Sequence, residues 1–112
     1  MNEISFEDFL KVELRVGEVV SAEPFAAARK PAYILHVDFG PEIGVLKSSA
    51  QITAHYQPAE LIGKQVVAVV NFPARQIGPI QSQCLVTGFH DENGAVALCV
   101  PDKVVPKGTK LL

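Results

Sequence analysis

The chain has 112 residues, 48% of them hydrophobic and 20% charged, with a net charge of −2. That is material for one small core over residues 1–112, and the composition excludes intrinsic disorder. No apolar run approaches the ~20 residues that span a bilayer, and the N-terminus lacks a basic leader, so a cytoplasmic protein with no membrane insertion is expected.

The charge is uneven. Residues 1–23 hold six acids against two bases, whereas residues 24–90 hold five bases against three acids. The middle of the chain is mildly basic and suits an anionic or mixed partner.

In chain order, "SFEDFL" pairs Ser5 with Asp8 as a capping box and puts Phe6, Phe9 and Leu10 at helical spacing, which predicts a short helix. "LRVGEVVSAE" alternates, with Gly17 marking a bulge or sharp bend in a strand. "AYILHVDF" alternates again, with Tyr33, Leu35, Val37 and Phe39 on one face. "DFGPEIG" reads as a turn, and "GVLKSS" as a short third strand. "SAQITAHYQPAELIG" predicts a helical insert, capped by Ser49, broken at Pro58 and closed by Gly63. "QVVAVVNF" is a nearly continuous β-branched run and predicts a strand buried on both faces. "FPARQIGP" reads as a loop between prolines. Residues 82–90 and 95–101 predict a hairpin about "DENG", and "PDKVVPKGTKLL" a tail with a turn at "PKG". Helix, three strands, helical insert and closing strands is the order of a mainly β, five-stranded Greek-key barrel of the OB type. Another small β-barrel or an α+β sandwich is the alternative.

Chemistry is sparse. No nucleophile elbow, catalytic triad order or phosphate loop is present, so no enzyme is expected. Cys84 and Cys99 read as free thiols, offset diagonally across the hairpin. Three scattered histidines complete no metal set, and no cofactor is implied.

Binding remains, and three polar stretches could carry it. Arg29 and Lys30 in "FAAARKPAY" are either a solvated loop or a contact. Lys47, Ser48, Ser49 and Gln51 in "KSSAQIT" are either a helix cap or an anion contact. Asn71, Phe72, Arg75 and Ser82 lie in a segment, Gln65–His90, whose single charged residue is Arg75. A solvated loop usually carries several charges; uncharged polar groups beside Phe72 and Ile77 suit an adaptable groove with one arginine at its rim. A loop buried against a partner subunit is equally compatible.

"RVGEVVSAE", "VDFGPEIGVLKSSAQIT", "YQPAELIGKQVVAVVNFPARQIG" and "SQCLVTG" together resemble the CsaA family of export-associated chaperones, within the wider group of tRNA-binding domains found at the C-terminus of methionyl-tRNA synthetase. The resemblance covers about Phe6 to Leu112. It implies an OB-fold homodimer and an ATP-independent chaperone. Its partners would be unfolded preproteins or peptides and the translocation ATPase, with tRNA as the alternative. It also implies peptide grooves near the dimer interface, and Ser48, Ser49, Gln51, Asn71, Phe72, Arg75 and Ser82 fall in the matching motifs. Relatives that bind tRNA carry "HPNADKL" between the first two strands. The equivalent "FAAARKPAY" lacks the His, Asn and Asp, and Cys84-Leu85 replace a Gly-Met that follows the serine matched by Ser82. Phe6, Phe9 and Leu10, with the apolar end of the tail, are the expected dimer surface, since one small barrel cannot cover them.

Overall fold

A computed structural model describes residues 1–112. Helix α1 (Phe6–Leu10) starts where the sequence places it. The Asp8 N–H donates to Ser5 Oγ at 3.0 Å, and the Ser5 N–H donates to the Asp8 carboxylate at 3.3 Å. These bonds satisfy two of the otherwise orphaned groups at the helix start. No residue of the helix is buried.

Strands β1 (Leu14–Pro24), β2 (Tyr33–Asp38) and β3 (Val45–Ala50) follow, then helix α2 (Pro58–Leu61) and strand β4 (Gln65–Val69). Five short strands end the chain: β5 (Arg75–Ile77), β6 (Ile80–Ser82), β7 (Leu85–Val86), β8 (Gly88–His90) and β9 (Val96–Leu98). The main sheet runs β3-β2-β1-β4-β7, with every pair antiparallel, while β5-β6 and β8-β9 are separate hairpins.

The sheet curls until its edges meet. The Gln83 N–H donates to the Lys47 carbonyl at 2.7 Å, and the Lys47 N–H donates to Gln83 Oε1 at 2.9 Å. The Ser49 N–H reaches Ser82 Oγ at 3.1 Å. The result is a nearly closed five-stranded antiparallel barrel of the OB type. Closure leaves few unpaired edges, which is how such short strands become stable.

One long strand makes this curl possible. Residues 14–18 of β1 pair with β4 and residues 18–24 pair with β2, with a register shift between Val19 and Ser21. The bulge therefore lies after Gly17, and Gly17 has a different task. A Cβ there would stand 2.5 Å from Val37 Cγ1 and 2.7 Å from Phe39 Cε1. Only glycine lets β1 lie this close to the inward face of β2. Val19, Leu35, Val37, Phe39, Leu61 and Val66 fill the core. Their alternation on β2 is the one the sequence shows.

The tail covers the remaining edge of β1. The Gly108 N–H donates to the Val16 carbonyl at 2.7 Å, the Val16 N–H to Thr109 at 3.0 Å, and the Leu111 N–H to Leu14 at 2.8 Å. Glu13 ties this seam together. Its carboxylate accepts from Arg15 Nη2 at 2.7 Å and Lys110 Nζ at 2.9 Å, and Arg15 Nη1 donates to the Gly108 carbonyl at 2.9 Å.

Three expectations are corrected. Ser49 caps no helix: it belongs to β3, residues 51–57 form turns, and the only helix of the insert is α2, with Gln57 at its N-cap. Ser49 is instead held in β3, opposite Ile34 and with its N–H on Ser82, and the β-branched Ile52 and Thr53 favour helix weakly. The proline-bounded stretch is no loop, because Arg75–Ile77 is a strand that turns at Gly78-Pro79 and pairs with β6. Residues 82–90 are not one strand: they pass from β6 to β7 to β8, so the hairpin about Asp91–Gly94 holds only residues 88–98.

Candidate binding groove

A groove of about 1060 Å³ opens at one end of the barrel. The loop of residues 26–32 forms one side and the hairpin β5-β6 another, while the end of β3 and strands β7 to β9 complete the lining. These are the two connections, between the first two barrel strands and between the last two, that flank the ligand face in OB folds. Gly78, at the hairpin tip, sits so that a Cβ would be 3.7 Å from Phe25 Cζ, which brings the two connections together.

The apolar part of the lining is Ala32, Ala50, Ile52, Ile77, Leu85 and Val86, with Ala27, Ala28 and Val96. Its charges are all positive. Arg29, Lys30 and Arg75 line it, and no aspartate or glutamate does. None of these three cations enters an ion pair, although five such pairs exist elsewhere in the molecule. Nor does any Phe, Tyr or Trp line it. His90 also faces the groove, and its Nδ1 lies 3.0 Å from the Gly94 carbonyl. A carbonyl only accepts, so Nδ1 is the donor in that contact.

Past one end of the groove, the segment after β3 is tied to the β8-β9 turn. His55 Nε2 lies 2.6 Å from Asp91 Oδ2, while Asp91 Oδ1 accepts from the backbone N–H of Asn93 and Ala95, each at 2.9 Å. The His55 contact first, and those backbone donors second, hold the Asp91 carboxyl below its usual range.

Of the residues singled out in the sequence, Arg29, Lys30, Ser49, Gln51 and Arg75 come together in the groove. Lys47, whose backbone bonds to Gln83, and four others do not line it. Ser48 is buried at 2% exposure and faces the core. Ser82 holds the Ser49 N–H and so shapes the wall. Asn71 binds the chain after α1, its Oδ1 accepting from Glu13 N–H at 3.0 Å and its Nδ2 donating to the Lys11 carbonyl at 2.7 Å. Phe72 is exposed beside it. Asn71 is thus a clamp on the N-terminal segment.

The sequence reading missed Leu85, Val86 and His90 as groove residues, although it had Ile77. Leu85 and Val86 read as ordinary strand and His90 as part of a turn; nothing local marks which ends of strands meet in space. Cys84 is buried and its thiol is pushed up to about 11 by that burial, so it is an inert core residue. Phe6 and Leu10 of α1 are exposed, as are Leu111 and Leu112 of the tail, and the Leu10 carbonyl lies 3.4 Å from Lys110 Nζ. Both chain ends therefore carry apolar groups on one side of the barrel.

Comparison with known proteins gives one consistent picture. A family profile described as "Putative tRNA binding domain" matches residues 14–110. The crystal structure of chaperone CsaA from Bacillus anthracis is 49% identical and superposes with a TM-score of 0.92, covering 99% of this chain and 100% of that one. The CsaA chaperone protein from Picrophilus torridus is 44% identical, with a TM-score of 0.91 over 98% of this chain and 100% of its own. Methionine–tRNA ligase 1 of Bacillus anthracis is 40% identical over 97% of this chain, but the chain spans only 16% of that ligase.

Proposed function

The chain belongs to the tRNA-binding-domain family, and from that premise we propose that it is a non-enzymatic binding domain that holds unfolded polypeptide, as a chaperone in protein export. The groove carries this reading. A partly apolar lining with three unpaired cations and no carboxylate suits an extended chain that offers apolar side chains, backbone carbonyls and acidic groups. The absence of an aromatic platform argues in the same direction, because single-stranded nucleic acid is usually held by bases stacked on aromatic rings. The CsaA names of two structures similar over the full chain support it further. The translocation ATPase as partner and the cytoplasm as location belong to the same reading. Arg29, Lys30, Ser49, Gln51 and Arg75 would touch the ligand, with Ser82 holding the wall at Ser49, while Ser48, Asn71 and Phe72 lie outside the lining.

One observation favours a second reading, tRNA binding: the three groove cations are free, as a phosphate-binding surface requires. Salt separates the two. Titrating the protein with a reduced, unfolded polypeptide and with bulk tRNA at two salt concentrations should give polypeptide affinity that changes little. A tRNA complex that neutralises three phosphates on single-stranded RNA should fall with a log–log slope of about −2. Tight tRNA binding with that slope, and no polypeptide binding, would overturn the first reading.

The same proposal includes a homodimer through Phe6, Phe9, Leu10 and the tail. Helix α1 buries nothing in the single chain, and a two-fold interface would cover it. Sedimentation that finds only a 12.1 kDa species at micromolar concentration would refute the dimer.

A further inference from the structure

Hairpin β5-β6 has one used edge and one free edge. Segment 82–83, which ends β6, lies against β3 through the Ser49 N–H to Ser82 and Gln83 N–H to Lys47 bonds. Strand β5 is left as the outer strand, and Arg75, Gln76, Ile77 and Gly78 all line the groove. The register pairs Ile77 with Ile80, Gln76 with Gln81 and Arg75 with Ser82 about a two-residue turn. In an antiparallel ladder closed by such a turn, the flanking pair is hydrogen-bonded and the next pair is not. Gln76 is therefore the position whose backbone N–H and C=O point away from β6. Its side chain is turned back on the hairpin, donating from Nε2 to the Gly78 carbonyl at 2.7 Å and accepting from Gln81. The outward backbone groups are left open, and Arg75 beside them has no acidic partner.

Resting on the polypeptide reading above, we infer that the groove takes its ligand by strand addition: an extended acidic segment pairs its main chain with the free edge of β5 at Gln76. Main-chain pairing makes binding tolerant of sequence, and alternate side chains of the added strand face the groove. Charge complementarity selects the occupant. The cations Arg29, Lys30 and Arg75 meet no carboxylate of the protein, so acidic residues at some of the groove-facing positions of the added strand complete them, while apolar residues at other groove-facing positions, two or four residues away, meet Ile77, Ile52 and Val86.

The test uses the full chain and a fluorescent peptide whose every second residue is glutamate or valine in turn, with threonine between them, so that one face of the extended chain carries both. N-methyl groups placed one at a time along the peptide should weaken binding with a period of two, by about tenfold at each sensitive position, since each removes a backbone donor aimed at the edge. On the protein, Gln76→Pro removes the outward N–H while leaving the bonds to β6 in place, because proline is accepted at an edge strand whose N–H faces out. It should weaken the peptide by about tenfold more than Gln76→Ala does, since both lose the side chain and only the proline loses the N–H. If Gln76→Pro fails to fold, the methyl scan decides alone. A peptide that binds with no period-two pattern would overturn strand addition and leave the polypeptide reading standing. No binding of this peptide or of any unfolded polypeptide would remove both. Tight tRNA binding that shares the Gln76→Pro sensitivity would give the edge to nucleic acid instead, and also overturn the inference.

Discussion

The two ends of the barrel treat their cations in opposite ways. At the seam where the chain termini meet β1, the cations that fasten it are matched: Arg15 and Lys110 share Glu13, and Lys107 Nζ lies 3.0 Å from Asp38 Oδ2. At the groove, Arg29, Lys30 and Arg75 have no carboxylate at all. A net charge of −2 conceals this division. Matched charges fasten a strand edge and answer to the fold; unmatched ones stay hydrated until a ligand arrives, so they cost the fold little and are available for binding.

Substitutions should separate the two ends, and the largest effect belongs to the seam. Gly17→Ala inserts a methyl group 2.5 Å from Val37 and 2.7 Å from Phe39. It should destabilise the protein by about 3 kcal/mol, because a packed core absorbs an added group only by moving backbone. Urea unfolding would measure it, and an unchanged midpoint would show that β1 and β2 are looser than their spacing indicates.

Arg75→Ala is the matching experiment at the groove. It should weaken peptide binding by roughly 1–3 kcal/mol and leave the melting temperature where it was, since the side chain is exposed and makes no ion pair. Arg75→Lys should recover part of the loss, as lysine keeps the charge without the planar fork. A fall in melting temperature, or dissociation of a dimer before any loss of ligand, would assign Arg75 to structure.

The smallest effect is the response to acid. Lys110 first, then Arg15, hold the Glu13 carboxyl below its ordinary 4.5. The Gly40 N–H first, then Lys107, hold Asp38 below its ordinary 3.8. Both carboxyls are depressed in the folded state, so their contribution is full above those ordinary values and fades as pH falls through the folded ones. The melting temperature should be level from about pH 7 to about pH 5 and decline below about pH 4. Glu13→Gln should flatten part of that decline. A decline that begins near neutrality would point to histidines, and so away from the seam.

What could be read without coordinates was whatever depends on near neighbours in the chain. The alternation of Tyr33, Leu35, Val37 and Phe39, the run of β4, the Ser5–Asp8 box and the Asp91–Gly94 turn are all set by spacing, and the order of strands was enough for an OB-type barrel. Local spacing misled where a distant partner outbid it. Ser49 looked like a helix cap, but it pairs with Ile34 in the sheet and its N–H goes to Ser82, thirty-three residues away, so it lies in an extended strand. Asn71 stood out only beside Phe72 and Arg75, and its bonds to the backbone of residues 11 and 13 could not be read from spacing. Arg75 stood out in the sequence as the one charge of its segment; that it shares a groove with Arg29, Lys30 and His90, on a strand with an open edge, was decided only when the barrel closed. Spacing along the chain determines which face a side chain takes, but which faces meet is set by long-range hydrogen bonds and core packing, and the groove exists only as their result.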